Sequence, residues 1–295
     1  MTYTQLESIP MTNSNTLTNG SEIVASKISK IYGTGPYAKT VVKDCSFTIE
    51  KNKLTVMIGP SGCGKSTLIQ MIAGFESPTT GTIMMNKKEL SGPGKDRLVL
   101  FQESALFPWM TTFENIMYGP KTRGENTTEA IDAANHLLDK VGLTAFRDKY
   151  PTQLSGGMQR RAELARAMIN KPEIMILDEP FRGLDCMSKE LMWEYYAGLY
   201  EETRDTNFFI TTDIDEAIFL ADRLLIMRNL PTSTRAVIDV DIPRPRTIGD
   251  LANNARANEI KIEVMKILHD EAMKSFSGGS KAAADFLDAY SKRAS

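Results

Sequence analysis

Cysteine is scarce in this chain. Cys45, Cys63 and Cys186 are odd in number, far apart and form no CxxC pair. That pattern argues against a zinc site or a disulfide framework and fits a reducing cytosol. Long apolar runs are missing as well. No stretch approaches ~18 continuous apolar residues, so nothing is expected to span a bilayer. Action at a membrane would need a partner to bring the chain there. An excess of one charge is also absent: 35 basic and 37 acidic residues are mixed throughout, for a formal net charge of −2. Nucleic acid is therefore not an expected partner, because phosphate backbones call for concentrated positive charge. The first residues are polar and lack the apolar core of a signal peptide.

What is present describes a globular protein. The 295 residues are 42% apolar and 24% charged, enough for one large domain, alone or with an appendage. Residues 1–21 are rich in Thr, Asn and Ser and are expected to be a flexible leader. Ile23 to Ile31 and Cys45 to Ile49 alternate apolar and polar residues, as half-buried antiparallel strands do. Leu54 to Ile58 is a short apolar run that ends in a glycine-rich turn, and helical spacing follows in Leu68, Ile69, Ile72 and Ala73. Strand-like runs recur at Thr82 to Met85, Leu98 to Phe101, Ile174 to Leu177, Phe208 to Thr211 and Leu224 to Met227. Their alternation with helices predicts an α/β fold with parallel strands at its centre and an antiparallel β subdomain before it. Residues 103–157 read as an all-helical insertion, clearest over Glu129 to Val141. Thr232 to Arg246 carries a further strand pattern, closing the main domain at about residue 246. Residues 247–295 read as amphipathic helices, broken at Ser277-Gly278-Gly279-Ser280.

Gly59-Pro60-Ser61-Gly62-Cys63-Gly64-Lys65-Ser66 matches GxxxxGK[ST] between a predicted strand and a helix, the context that a phosphate-binding loop requires. Glycines let backbone N–H groups curl round a β-phosphate, and the helix N-terminus adds a favourable dipole. Lys65 reaches the β- and γ-phosphates, the Ser66 hydroxyl is a ligand for Mg²⁺, and Thr67 supports the α-phosphate side. Cys63 fills a variable slot, either as a small filler or as a thiol activated by the helix start. Downstream, Ile174 to Leu177 ends in Asp178-Glu179. Consecutive residues at a strand end can take different tasks. Asp178 suits Mg²⁺ and Glu179 suits a general base that polarises the attacking water.

Leu154-Ser155-Gly156-Gly157-Met158-Gln159 precedes a helix through Arg161, Leu164, Ala165 and Met168. It forms a second anion site: a serine hydroxyl and glycine N–H groups at a helix start. Here the chain resembles the ATP-binding subunits of ABC transporters, whose signature motif this run matches. The resemblance covers roughly residues 23–246. It implies ATP and Mg²⁺ as ligands and a head-to-tail dimer with a second such subunit. In that dimer, Ser155, Gly156, Gly157 and Gln159 complete the γ-phosphate site of the facing chain. It also implies that Tyr32 stacks on adenine, with Tyr37 a weaker candidate and an ordinary strand aromatic the alternative. Gln102 takes the position of the glutamine that contacts Mg²⁺ and the attacking water, and Asp185 that of an aspartate that communicates across the dimer.

One position departs. The family has a histidine before an aspartate after the Phe208 to Thr211 strand, and Thr212 stands there instead. The two histidines, His136 and His269, lie elsewhere. ATP binding is expected to be intact and hydrolysis at the chain's own loop weakened, on the order of tenfold to a thousandfold for one lost positioning group. The alternative is that the threonine hydroxyl, which can still donate one hydrogen bond, suffices. Pairing with a homologue whose site is complete is a corollary.

Gly92 to Arg97, Phe101 to Trp109, Asp215 to Asp222 and Pro243-Arg244-Pro245-Arg246 resemble the importer branch that serves nitrate, sulfonate and taurine. That branch implies membrane permease subunits and, indirectly, a solute-binding protein, with the chain at the cytoplasmic face of the cell membrane. Leu106, Phe107, Pro108 and Trp109 either dock a permease helix or pack within the insertion. A non-transport ABC ATPase and an ATP-sensing regulatory subunit remain as alternatives. Retention of Glu179 opposes the latter.

Overall fold

The computed structural model describes residues 20–277, so the expected leader and the Ser277 to Ser280 break lie essentially outside the described residues. Among these residues the chain forms two sheets and a helical layer. The first sheet is antiparallel, in the order β2 (Lys39–Ile49), β1 (Ile23–Tyr32), β4 (Thr80–Met85) and β5 (Lys88–Glu89). The second runs β10 (Thr234–Asp239), β9 (Arg223–Met227), β3 (Leu54–Ile58), β8 (Thr206–Thr211), β7 (Ile174–Asp178) and β6 (Arg97–Leu100). All its neighbours are parallel except the β10–β9 pair at one edge.

The parallel strands are apolar on both faces because both faces are covered. Successive side chains alternate between two cores. Leu54, Val56, Ile58, Met175, Leu177, Phe209, Leu224 and Ile226 face one cluster. Met57, Ile174, Ile176, Phe208, Ile210, Leu225 and Met227 face the other. The first cluster is roofed by α5 (Cys186–Thr203), α6 (Ile214–Leu220) and α8 (Ala255–Ser277). The second is covered by α1 (Lys65–Ala73) and the antiparallel sheet.

Helices α2 (Thr112–Thr122) and α3 (Thr128–Lys140) fall between β6 and β7 and pack on α4 (Gly156–Met168). Their shared core runs from Leu106 to Ile169, so it includes Ala162 and Ala165 and does not stop at residue 157. The predicted strand after Thr232 is shorter than expected, ending at Asp239. A short helix α7 (Ile248–Ala252) leads into α8. That last helix is no loose appendage: Ile260 and Val264 are fully buried in the first core. Each contributes roughly 1.5–3 kcal/mol by removing its side chain from water.

The Pro-Arg-Pro-Arg segment acts as a clamp. Arg246 is buried and donates to the carbonyls of Ala221 at 2.7 Å, Ile242 at 2.9 Å, and Ile218 and Phe219 at 3.0 Å. Burial and the neighbouring Arg244 pull it down to about 10. Arg244 donates to Asp222 at 2.7 Å, and Asp222 also receives Leu54 N–H at 2.8 Å and the Tyr200 hydroxyl at 2.6 Å. The chain after β10 is thus tied to the end of α6 and the start of β3. Arg246→Ala would leave buried carbonyls without donors. It is expected to cost about 2–4 kcal/mol of stability, read from the urea midpoint. A change below about 0.5 kcal/mol would show that the clamp is dispensable.

Candidate functional site

The C-terminal ends of β3, β8, β7 and β6 lie side by side, and every strand end carries one of the expected groups. After β3 the chain turns through residues 59–64 into α1. Gly62 and Gly64 have φ of +75° and +98°, a left-handed backbone that other residues rarely adopt. Gly64 is the N-cap of α1 and offers no side chain to its first N–H groups. They remain available to an anion. A Cβ on Gly59 would meet the Cys63 sulfur and the Met227 Cβ at 3.0 Å, and one on Gly64 would meet the Thr232 hydroxyl at 2.5 Å. Lys65 is buried, and its ammonium donates to the carbonyls of Gly59 and Pro60 at 3.0 Å. Ser61 and Ser66 are exposed, and Thr67 is half-buried. This cradle fits a polyphosphate: open donors, one fixed cation and no competing carboxylate in the loop.

The Cys63 side chain, unlike its backbone, stands outside the phosphate reading. Its thiol is fully buried in the second core, and burial pushes it up, overriding Lys65 and the nearby N–H groups. The buried thiol packs in the core, which favours the small-filler alternative. Tyr32 is about one-third exposed on β1. Its hydroxyl donates to Glu76 at 2.7 Å and has Thr67 as a second hydrogen-bond partner, which sets the ring beside the phosphate loop. Tyr37 lies on a 3-10 turn, 88% exposed.

Asp178 ends β7 and pairs with Ile210 of β8. Burial, and then the charge of Glu179, raise its carboxyl to about 6, against the pull of Lys65 and Arg182. A carboxylate held in this way fits a divalent cation, which would relieve the burial cost of its charge. Glu179 follows with φ +42°, and its N–H is fixed to the carbonyl of Ile210 at 2.9 Å. Left-handed backbone at a non-glycine residue is a strained arrangement typical of functional sites. Gln102 stands two residues beyond β6, exposed, and its side-chain oxygen accepts from Arg182 at 3.3 Å.

Ser155 caps α4 by accepting from Met158 N–H at 3.4 Å. Gly156 is exposed and Gly157 half-buried beside it. The Gln159 amide donates to the carbonyls of Pro151 at 2.9 Å and Leu154 at 3.3 Å, so in this conformation it braces the loop before the helix. Among the described residues no hydrogen bond joins this group to residues 59–67 of the same chain. Asp185 caps α5, and hydrogen bonds from Ser188 hold its carboxyl below the usual range. Thr212 is exposed just past β8.

Several functional residues escaped the sequence reading. Arg160 and Glu163 form a buried ion pair at 2.5 Å on α4. Arg160 donates to the carbonyls of Phe101, at 2.9 Å, and Gln102, while Glu163 accepts Ala105 N–H at 2.5 Å. The signature helix therefore grips the backbone around Gln102. Asn115, fully buried, fixes the next stretch by binding the backbone of Phe107, Met110 and Thr111. An Arg-x-x-Glu pair facing inward on a helix is the signal that could have found the first. Beneath Thr212, Glu216 is buried and accepts from the Trp193 indole at 2.6 Å and from the Thr211 hydroxyl.

Comparison with known proteins shows the family. A family profile described as ABC transporter matches residues 42–182. The nitrate import ATP-binding protein of Synechococcus elongatus is 39% identical over 238 residues, 80% of this chain and 86% of that one. The bicarbonate transport ATP-binding protein of the same species is 42% identical over 232 residues, 76% of this chain and 82% of the other. Among solved structures, a dimeric ATP-binding cassette in a post-hydrolysis state with ADP and phosphate superimposes with a TM-score of 0.64. It shares 26% identity and covers 75% of this chain and all of its own.

The buried Glu216 gives a pH test. Burial lifts its carboxyl from 4.5 to about 7 despite the Thr211 and Trp193 donors. Between those values the folded chain holds a proton that the unfolded chain releases, so this group's contribution to stability is present below 4.5 and falls as pH rises to about 7. Glu216→Gln is expected to shrink the fall in melting temperature over that window. An unchanged pH slope would contradict it.

Proposed function

We infer the work of this chain from its family: it belongs to the ABC transporters, as an ATP-binding and ATP-hydrolysing subunit. We propose that it powers the import of a small anion of the nitrate, bicarbonate, sulfonate or taurine kind, working in a dimer with another copy or a homologue. The observation that carries the ATPase reading is the buried Lys65 over an uncapped helix start, with Asp178 and Glu179 at the end of β7, one strand beyond β8. The import reading is supported by the similarity to import ATP-binding proteins.

Each residue then has a task. The N–H groups of residues 61–66 and the Lys65 ammonium hold the β- and γ-phosphates, and Tyr32 stacks on the base. Ser66, Asp178 and Gln102 hold Mg²⁺, which neutralises phosphate charge when bound. Gln102 and Glu179 orient a water on the γ-phosphorus. Glu179 takes its proton as the new P–O bond forms and the bond to the β-phosphate oxygen breaks, leaving ADP and phosphate. Ser155, Gly156, Gly157 and Gln159 serve the nucleotide of the facing subunit, so closure depends on ATP at both sites. Asp185 carries the signal across the dimer. The short, uncharged Thr212 weakens hydrolysis at this chain's own site.

Among the described residues no helix is long and apolar enough to cross a membrane. The similarity to import ATP-binding proteins supports a permease partner that holds the chain at the cytoplasmic face. A cleft of about 1170 Å³ between β6 and the helical layer, lined by Arg97, Val99, Phe107, Tyr118 and Arg166, suits a docked helix. Of the four candidate docking residues, Phe107 lines it, with its ring 5.5 Å from Trp109, which is 69% exposed. Leu106 is buried in the helical core.

In an ATPase assay Glu179→Gln is expected to keep ATP binding and lose turnover. Retained turnover would contradict the assignment. Thr212→His is expected to raise kcat by about tenfold or more, and an unchanged kcat would show that threonine suffices. Trp109→Ala is expected to abolish co-purification with the permease at unaltered ATP affinity, and retained association would count against docking there.

A further inference from the structure

The loop beyond β7 turns back on itself. Arg182 N–H donates to the carbonyl of Glu179 at 3.1 Å, so the two side chains emerge on the same side. One guanidinium nitrogen of Arg182 lies 3.1 Å from a Glu179 carboxylate oxygen and 3.3 Å from the Gln102 side-chain oxygen. A single donor thus ties together the two groups read as base and water-orienting amide, which come from the ends of β7 and β6. The arginine side chain is 62% exposed and that of Glu179 only 12%, so the guanidinium lies over the carboxylate from the solvent side. It occupies one carboxylate oxygen and leaves the second for another donor. A guanidinium carries several N–H donors on one planar group, so one side chain can hold two acceptors. At the neighbouring strand end, Thr212 has no hydrogen bond to Glu179 or Gln102 among the described residues.

We propose that Arg182 is the positioning residue of this hydrolytic site, holding the Glu179 carboxylate and the Gln102 amide in one fixed relation to the attacking water. The inference rests on the reading of Glu179 as the base. An untethered carboxylate samples orientations in which it cannot accept the water's proton. Hydrolysis slows, while the phosphate loop binds ATP as before. The contact has little value for stability, since a pair this exposed is well screened. Its importance is kinetic.

The test is steady-state turnover of Arg182→Ala, Arg182→Lys and Glu179→Gln in the full chain. Arg182→Ala is expected to lower kcat on the order of tenfold to a hundredfold with KM for ATP within about twofold. Arg182→Lys is expected to keep most of the activity, because an ammonium can still donate to both oxygens. Guanidinium ion at millimolar, non-denaturing concentration is expected to restore part of the lost kcat of the alanine variant, which a merely structural role would not allow. An unchanged or raised kcat overturns the proposal. So does a loss that neither lysine nor guanidinium recovers, or a parallel rise in KM. If Glu179→Gln retains turnover, the reading of the site itself fails. If Glu179→Gln is inactive while Arg182→Ala is fully active, only the tether fails.

Discussion

The open start of α1 is the constraint on which the rest of the molecule depends. A helix whose first N–H groups have no cap is a standing cost unless an anion takes them. Here the N-cap is a glycine in a left-handed conformation, and the first helical residue is a buried lysine turned back on two carbonyls of its own loop. The surroundings hold the loop in that shape. Met227 of β9 and Cys63 leave little room for a side chain at Gly59, and Thr232, just before β10, leaves none at Gly64. The central place of β3 between β8 and β9 keeps the loop at the end of a rigid, doubly covered strand. Phosphate charge is what makes such an arrangement favourable.

Around this point the fold divides labour between strand ends and helices. Parallel strands bring the Asp178-Glu179 pair, Thr212 and Gln102, which are far apart in the chain, to the same end of one sheet. The helical layer is then coupled to the same edge through a buried charge pair. Arg160 and Glu163 on α4 hold the backbone on either side of Gln102, so α4 and the segment after β6 are joined by hydrogen bonds as well as by the chain. Removing one member of such a pair would leave the other buried and unpaired, a cost of about 3–5 kcal/mol.

What was legible in the sequence was whatever depends on neighbours in the chain. The phosphate loop, the signature run and the Asp178-Glu179 strand end are local patterns with fixed spacing. The alternation of both cores follows from strand period alone. What escaped depends on distant contacts. Nothing beside Arg246 in sequence tells that it caps carbonyls of the segment around α6. The amphipathic pattern of α8 showed an apolar face but not that the face completes the main core. Cys63 had a helix start as its neighbour in sequence and a hydrophobic core as its neighbour in space, and the core sets its chemistry. Arg182 sits three residues from Glu179, yet its bond to Gln102 spans 80 residues and needed the parallel sheet to bring the two together.

No hydrogen bond joins the start of α4 to the phosphate loop among the described residues, and the proposed dimer would bring each against the other on a facing chain. Sedimentation of the Glu179→Gln chain, with saturating ATP and separately with ADP, tests this most directly. Two chains should associate with ATP and separate with ADP, and replacing Ser155 should block association while leaving ATP binding intact. A chain that binds ATP to saturation and remains a monomer at every concentration would contradict it.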